Sequence, residues 1–324
     1  MHIPDGVLSD TVAFALVAGS AAAVGLAARR ARRDLEEREA AAPIMGVMGA
    51  FIFAAQMVTI PLFPLPVSGH LVGGLLAAAV LGPATGILVM ACVFIVQALL
   101  FQDGGLVALG ANVWNGGVVP AVLGYALFAG LRRRVGRGAA AVAAAVAGVT
   151  AGALFCGLEI LVSHRELGPG VVLALVGYHV PVGALEGAAT AAVLGYVARV
   201  RPDLLEARVA TPDEVRRVVI PLLVASALIA GGLSYAASEL PDPLDATIAG
   251  TPAGEAAAAP APAPLPDYRL PGLSSELVSN AVAGLAGTAV VALALFAASR
   301  WLRRVRPAGG PSSPTGARPA PPDA

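Results

Sequence analysis

The first two residues, Met1 and His2, bring three nitrogen donors together in one dipeptide. The α-amine of Met1, the deprotonated backbone amide of His2 and the imidazole Nδ1 of His2 can close two fused chelate rings around one cation. Nitrogen ligands in a plane suit Ni²⁺ or Cu²⁺, and imidazole binds late first-row divalent metals generally. The opening of the chain therefore predicts a transition-metal site.

His70, in the segment PVSGHLVGG, is the candidate for a fourth donor to the same cation. It stands between a proline-rich approach and a glycine-rich helix start. Taken alone, a histidine at position 2 occurs often by chance, and a lone histidine at a helix mouth is more often structural than a ligand. The metal site is favoured because both histidines are expected on the outer face of a membrane protein.

The composition indicates that the chain lies largely in a lipid bilayer. It has 57% hydrophobic and 13% charged residues, and its mean hydropathy is +0.78. Soluble domains have about 45–50% apolar and about 25% charged residues. All 21 basic residues are arginine, so a Walker A loop and a pyridoxal Schiff base, which both need lysine, are excluded. We expect no enzyme activity, membrane lipid as a partner, no nucleic acid partner, and no function for Cys92 or Cys156.

The fold class expected is all-α, a polytopic bundle of about nine membrane segments, because a bilayer core about 30 Å thick needs about 20 apolar helical residues. The third segment is too short to cross unaided and is expected inside the bundle or re-entrant. The segments predicted are residues 11–28, 43–60, 69–82, 84–102, 112–131, 139–162, 171–198, 218–236 and 276–299.

The placement of arginine predicts the orientation, since cytoplasmic loops retain positive residues. Clusters follow the first, fifth, seventh and ninth segments, which places all of them on one side and leaves Arg165 and Arg269 opposite. The N-terminus is therefore expected outside and the C-terminus inside, in the cytoplasmic membrane of a prokaryote. Because the positive residues follow the first segment instead of preceding it, we expect an uncleaved N-terminus.

Two domain-scale units are expected, followed by a tail. Residues 1–200 form a bundle in which small residues such as Gly148 allow close helix approach. Residues 214–306 hold the last two segments and an exterior stretch, of which 252–266 is rich in Pro and Ala and favours an extended spacer. Residues 307–324 lack apolar material to bury and are expected to be disordered.

Four segments together resemble the CbiM/NikM family, the substrate-binding component of energy-coupling factor transporters for cobalt and nickel. They are MHIPDGVLS, PVSGHLVGG, LGANVWNGG and GALEGAATAAVLGYV. Residues 214–306 resemble the companion protein CbiN/NikN, with ELPDPLDAT where that family has a Pro-Asp-Gly-Leu-Glu motif. Pro243 replaces the glycine of that motif and Asp245 the glutamate.

The resemblance implies a near-square-planar site formed by Met1, His2 and His70. It also implies that Asn112 supports the site, with Ser68 as a weaker candidate. The transported ion would be Co²⁺ or Ni²⁺, with no resident cofactor. Energy would come from ATP-binding subunits of the CbiO/NikO type through a transmembrane coupling protein of the CbiQ/NikQ type.

The remaining polar residues near the membrane are candidates for a transport role, for bonding between helices or for solvation. Glu186, seven residues after His179 and on the same helix face, is a candidate for a transport role because buried ionisable groups are costly in lipid. Bonding between helices is the competing explanation. Asn115 and Gln97 are expected to pack between helices, and solvation is expected to explain Glu159, His164 and the exterior acids Glu239, Asp242, Asp245, Glu255 and Asp267.

Two other functional classes compete with metal capture. An intramembrane hydrolase would need a motif such as His-Glu-x-x-His, which none of the four histidines occupies. A metal-independent carrier for a small organic solute would ignore the N-terminal chelate and would tolerate an N-terminal tag. Ligand type does not separate cobalt from nickel.

Inserting one alanine between Met1 and His2 is predicted to abolish metal uptake, because the imidazole then lies too far from the amine to close the fused rings. Uptake of Ni²⁺ and Co²⁺ by cells expressing the insertion variant measures this. The matched control carries the same insertion after Ser312, in the tail that is expected to be disordered. Uptake retained by the first variant would exclude the chelate.

Overall fold

The computed structural model describes residues 2–37, 41–200, 212–259 and 261–304. Within these ranges the chain is mainly helical, with one short antiparallel pair, β1 (Ile60–Pro61) and β2 (Ser68–Gly69). The α-helices of the N-terminal part are α1 (Asp10–Glu37), α2 (Ala41–Gln56), α3 (Gly74–Leu81), α4 (Pro83–Val96), α5 (Leu109–Asn112), α6 (Tyr125–Leu131), α7 (Arg137–Ser163) and α8 (Gly170–Val200). The C-terminal part adds α9 (Pro212–Gly231), α10 (Pro243–Ile248), α11 (Pro252–Glu255) and α12 (Glu276–Arg304).

Wide π-helical turns extend or join several of these helices. Residues Gln97–Phe101 continue α4, and Val113–Val118 and Pro120–Gly124 connect α5 to α6. Short 3₁₀ turns occupy Arg165–Leu167, Leu233–Ala236 and Pro266–Tyr268. Turns of the π type occur often at functional sites because they change the direction of the side chains that follow.

Six helices in the described residues are long and apolar enough to cross a membrane, which confirms a polytopic helical protein. They correspond to the first, the fourth to seventh and the ninth predicted segments. The six are Asp10–Leu35, Pro83–Phe101, Leu109–Leu131, Arg137–Ser163, Gly170–Val200 and Glu276–Arg304. The count of nine segments and the orientation of the termini stay predictions, and Met1 and the tail at 307–324 lie outside the described residues.

The second and third predicted segments are shorter than expected. The helix predicted for 43–60 ends at Gln56. Two prolines, which donate no backbone hydrogen bond, follow it: Pro61 in β1 and Pro64 in the loop between β1 and β2. α3 has eight residues and is about 12 Å long, well short of a bilayer core. Since nearly all of α3 is buried, this segment packs inside the bundle, as its length predicted.

Glycines allow α7 and α8 to pack closely. A Cβ at Gly183 would lie 2.6 Å from Val146 Cα, and one at Gly187 would lie 2.5 Å from Val142 Cα. Gly148 of α7 also lies close to the turn Pro120–Gly124, where a Cβ would be 3.2 Å from Gly124 Cα, which confirms the close approach predicted there. These contacts involve backbone atoms, so a side chain at these positions could not be accommodated by a rotamer change.

The C-terminal helices share one hydrophobic core with the N-terminal part. α12 and α9 both pack on α2, and Met48, Val218 and Val291 are completely or almost completely buried in the same apolar cluster. The exterior stretch between α9 and α12 is folded against the rest of the chain. Pro252–Glu255 forms a helical turn that Thr251 caps through Gly254 N, so the extended spacer predicted for 252–266 is wrong at its start.

Gly187→Ala is predicted to destabilise the protein by about 1–3 kcal/mol, because the added methyl overpacks the α7–α8 contact. Thermal unfolding of the purified chain in detergent measures the change. Gly195→Ala is the control, since it lies on the same helix with open space around its Cα. A Gly187 variant as stable as the Gly195 variant would contradict this packing.

Candidate metal centre

The first residues of the chain are held in the bundle by hydrogen bonds to their main-chain groups. Asn112 accepts a hydrogen bond from Ile3 N through Oδ1 at 2.7 Å and donates to Ile3 O through Nδ2 at 3.1 Å. Gly105 N also donates to Ile3 O, and the Ile3 side chain is 1% exposed. Because both polar groups of residue 3 are bonded, the residue beside it, His2, is held at one place.

Asp5 and His164 anchor the next residues. The Asp5 carboxylate accepts hydrogen bonds from three successive backbone amides just before α5, those of Leu106, Val107 and Ala108. His164 Nε2 lies 2.9 Å from Val7 O, so His164 is a structural contact of the N-terminal segment and solvation does not explain it.

Gly6 makes the turn between these two anchors. Its φ is +86°, and a Cβ there would collide with the backbone of Ala256. Any other residue at position 6 would be strained both in its own backbone and against this neighbour.

The two candidate imidazoles lie face to face. The rings of His2 and His70 are stacked with centroids 5.4 Å apart and planes inclined by 23°, and Phe94 packs edge-on against His2 at 5.4 Å. His70 Nδ1 lies 2.9 Å from Leu71 O and therefore carries the hydrogen, which leaves Nε2 with its lone pair. The structure thus brings together two residues that are 68 positions apart in sequence.

Burial keeps both imidazoles in the form that binds metals. It lowers the pKa of His70 to about 4, and it lowers the pKa of His2 despite the nearby carboxylate of Asp103. Histidine coordinates metal only when it is neutral. Both rings are therefore available as ligands at neutral pH without the loss of a proton.

Polar side chains surround His2 on both edges of its ring. Gln97 Oε1 lies 3.2 Å from Nε2, and Asp103 Oδ1 lies 3.2 Å from Nδ1. Within the described ranges, no three His, Cys, Asp or Glu side chains form a metal-binding group. The chelate hypothesis accordingly depends on the main-chain nitrogens of residues 1 and 2 as well as on the two rings.

The stretch between α9 and α12 covers this region. Ala258 N donates to Asp5 O at 2.7 Å, Leu265 N donates to Leu100 O at 2.9 Å, and the Tyr268 hydroxyl donates to Asp103 Oδ2. Ser68, a candidate for supporting the metal, instead donates through Oγ to Leu240 O at 2.7 Å. Its described contact therefore fastens the His70 loop to the C-terminal part.

One of the exterior acids is poorly explained by solvation. Asp242 is half-buried, accepts a hydrogen bond from Asp245 N as the cap of α10, and interacts electrostatically with His2 and His70. The other four acids are exposed, consistent with the solvated role expected for them: Glu239, Asp245, Glu255 and Asp267.

Glu186 supports the loop that carries His70. Its Oε2 accepts hydrogen bonds from Val72 N at 2.7 Å and Gly73 N at 2.9 Å, which fixes the turn leading into α3. His179, on the same helix, is bonded to Leu175 O in its own backbone. These contacts give Glu186 a structural task, and a direct transport role stays a hypothesis.

Asn115 and Glu159 form a buried pair between helices. Asn115 Nδ2 donates to Glu159 Oε2 at 2.7 Å, and Glu159 is 8% exposed. Solvation was the wrong explanation for Glu159, because α7 turns this residue inward toward the turn that follows α5. The packing role expected for Asn115 is confirmed.

Sequence reasoning did not identify Gln56, Asp103 or Tyr268 as neighbours of the site, and it assigned Gln97 only to packing. Gln56 and Gln97 are two of only three glutamines in the chain, and each falls in an apolar helix, which is a signal of a buried polar contact. Nothing in the sequence indicates that Tyr268 would meet Asp103.

Two family models match separate parts of the chain. One, described as CbiM, cobalt uptake substrate-specific transmembrane region, matches residues 2–204, and a PDGLE domain matches residues 216–304. A putative fused nickel transport protein NikMN of Archaeoglobus fulgidus is 38% identical over 307 residues, covering 94% of this chain and 99% of the relative.

Other relatives align mainly with the N-terminal part. The cobalt transport protein CbiM of Geobacter sulfurreducens is 35% identical over 218 residues, covering 63% of this chain and 61% of the relative. A crystal structure of a transition metal transporter superposes with a TM-score of 0.52 at 25% identity, covering 62% of this chain and 93% of that one.

Asn112→Ala is predicted to weaken Ni²⁺ binding about 10- to 100-fold, the usual effect of losing a residue that orients a metal ligand. The reason is that the two main-chain groups of Ile3 would lose their amide partner. Calorimetric titration of the purified full chain measures the affinity, with Asn280→Ala as the control because Asn280 bonds to Ser234 in the C-terminal helices. Equal affinities in the two variants would argue against this clamp.

Proposed function

This chain belongs to the CbiM family of cobalt-uptake substrate-specific transmembrane proteins, with a PDGLE domain after it, and we propose that it is the substrate-binding membrane component of an energy-coupling factor importer for Co²⁺ or Ni²⁺. The similarity to a fused nickel transport protein along nearly the whole chain supports this assignment. The ion is the transported substrate, and the protein itself is not an enzyme.

The pairing of His2 with His70 carries the proposal. Two imidazoles held neutral by burial and stacked 5.4 Å apart supply nitrogen donors at the place where the chain begins. We propose that the amine of Met1, the amide and Nδ1 of His2, and His70 hold the ion in a near-planar set. Such a set suits Ni²⁺ and also accepts other late first-row ions.

Negative charge beside the rings favours a cation over a neutral solute. Asp103 lies next to His2, and Asp242 interacts with both imidazoles. In a region shielded from water these carboxylates attract a divalent ion more strongly than exposed acids would. This favours metal capture over the alternative of an organic solute carrier.

We propose that capture takes place at the outer face of the cytoplasmic membrane, with the N-terminus outside and the C-terminus inside. Transport then depends on partners: ATP-binding subunits of the CbiO/NikO type and a transmembrane coupling protein of the CbiQ/NikQ type. The absence of lysine from the chain agrees with ATP hydrolysis elsewhere, since a Walker A loop requires one.

The two domains proposed, residues 1–200 and 214–306, have separate tasks. The first provides the metal ligands and the bundle around them. The second lies over the site through Ala258, Leu265 and Tyr268, contacts that support a role in loading or releasing the ion.

His70→Ala is predicted to lower the affinity for Ni²⁺ and Co²⁺ by more than about 100-fold, a larger effect than the loss of a residue that only orients a ligand. Titration calorimetry of the full chain in detergent and ion uptake by cells with the whole transport system are the two measurements. His179→Ala is the matched control, because the hydrogen bond of this buried histidine is to Leu175 O of its own helix.

The proposal fails if His70→Ala binds and transports both ions as well as the wild type. It also fails if the unmodified chain binds neither ion at micromolar concentration. A protein that transports normally with an N-terminal tag in place would favour the organic solute carrier instead.

A further inference from the structure

We propose that two buried amides, Gln56 and Gln97, position the ring of His2 by fixing its hydrogen on Nε2, so that the lone pair of Nδ1 is presented to the ion. This inference rests on the proposed function, because Nδ1 is the nitrogen that closes the N-terminal chelate. Gln56 and Gln97 would thus orient a metal ligand without themselves binding the ion.

The chain of bonds begins at a backbone carbonyl, which fixes its direction. Val72 O can only accept, so the group of Gln56 that lies 2.6 Å from it is the donating Nε2. The oxygen of the Gln56 amide must then face the other way. There it accepts a hydrogen bond from Gln97 Nε2 at 2.7 Å.

The same reasoning fixes the orientation of Gln97. Turning its amide over would place its oxygen against the oxygen of Gln56 at hydrogen-bond distance, and two acceptors repel. Gln97 Oε1 therefore faces His2 Nε2, at 3.2 Å. Gln97 is 0% exposed, so no bulk water replaces a missing donor, and an unsatisfied buried oxygen would cost about 1–3 kcal/mol.

The opposite edge of the ring offers a second acceptor. Asp103 Oδ1 lies 3.2 Å from His2 Nδ1, and a neutral imidazole has only one N–H to give. The Asp103 side chain is 26% exposed and already accepts from Tyr268, whereas Gln97 Oε1 has His2 as its donor. Placing the hydrogen on Nε2 pairs the fully buried Gln97 oxygen and leaves the lone pair of Nδ1 facing Asp103 Oδ1, a pair of acceptors that a cation bound at Nδ1 would stabilise.

The fold provides the positions that this chain of bonds requires. Gln56 ends α2, and Gln97 begins the π-helical turn that continues α4, so both amides lie where regular α-helix stops. Val72, two residues after His70, is held in turn by Glu186 through its own N–H. The chain of bonds therefore links the His70 loop to the ring of His2.

This arrangement gives His2 the usual support of a metal ligand. A histidine that binds metal through one nitrogen generally donates the other N–H to a fixed acceptor, which sets both the tautomer and the ring orientation. With the hydrogen on Nδ1 instead, the fused chelate could not form until that hydrogen moved. Gln56 and Gln97 are thus positioning residues for His2.

The tautomer can be measured directly in metal-free, full-length protein labelled with ¹⁵N-histidine. The chain has four histidines, so two-bond ¹H–¹⁵N spectra are simple, and His2→Ala assigns the His2 signals by difference. We expect the Nε2–H form in the wild type. Gln97→Met should remove the preference, Gln97→Glu should restore it because a carboxylate oxygen still accepts, and Gln102→Met, which changes the third glutamine, should leave it unaltered.

Titration with Ni²⁺ gives the second measurement. Gln97→Met should weaken binding about 10- to 100-fold, as for other residues that orient a metal ligand. Gln56→Met should act in the same direction, because the Gln97 amide then loses the acceptor that fixes its orientation. This second variant tests the inference if the Gln97 variant does not fold.

An Nδ1–H tautomer of His2 in the wild type would overturn the inference, as would an unchanged tautomer in a folded Gln97→Met or Gln56→Met variant. A wild-type protein that shows the Nε2–H form, loses it in these variants and yet binds neither Ni²⁺ nor Co²⁺ would refute the proposed function alone. These measurements therefore distinguish a failure of the His2 tautomer inference from a failure of the proposed metal transport function.

Discussion

The bonding of the first residues to the interior of the bundle is the constraint on which the candidate site depends. A chain start is ordinarily solvated and mobile, yet here Ile3 is buried and both its main-chain groups are paired with Asn112. Buried backbone groups are almost always paired, since leaving one unpaired is costly. Once Ile3 is in place, the backbone of His2 has little freedom, and its ring lies against His70.

The loop that carries His70 is also anchored on both sides by hydrogen bonds. Glu186 bonds two successive amides of the turn after it, and Ser68 bonds the C-terminal part on the other side. The two rings therefore belong to separately anchored pieces of backbone that meet at one place. Because the two rings are already ordered, binding an ion costs little conformational entropy at these ligands, which favours high affinity.

Much of this architecture was predictable. Apolar runs of about 20 residues predicted six helices that the structure contains, because the bilayer imposes a length on any helix that crosses it. The short third segment packs inside the bundle, one of the two arrangements expected for it. Glu159 and Asp242 were less predictable. Both were assigned to solvation, although Glu159 is buried and Asp242 is half-buried. The sequence shows that these residues are charged, but it does not show whether the local backbone turns them toward solvent or toward the protein interior.

The sequence by itself determined the membrane class, the long helices and the histidines that merit attention, since these follow from composition, run length and residue chemistry. Only the tertiary structure decided which polar groups meet: Gln56 with Gln97, Tyr268 with Asp103, and His2 with His70. A hydrogen bond forms only if donor and acceptor, on residues far apart in the chain, are placed about 3 Å apart to within a few tenths of an ångström. No periodicity encodes such a distance, because it arises when all the helices pack at once.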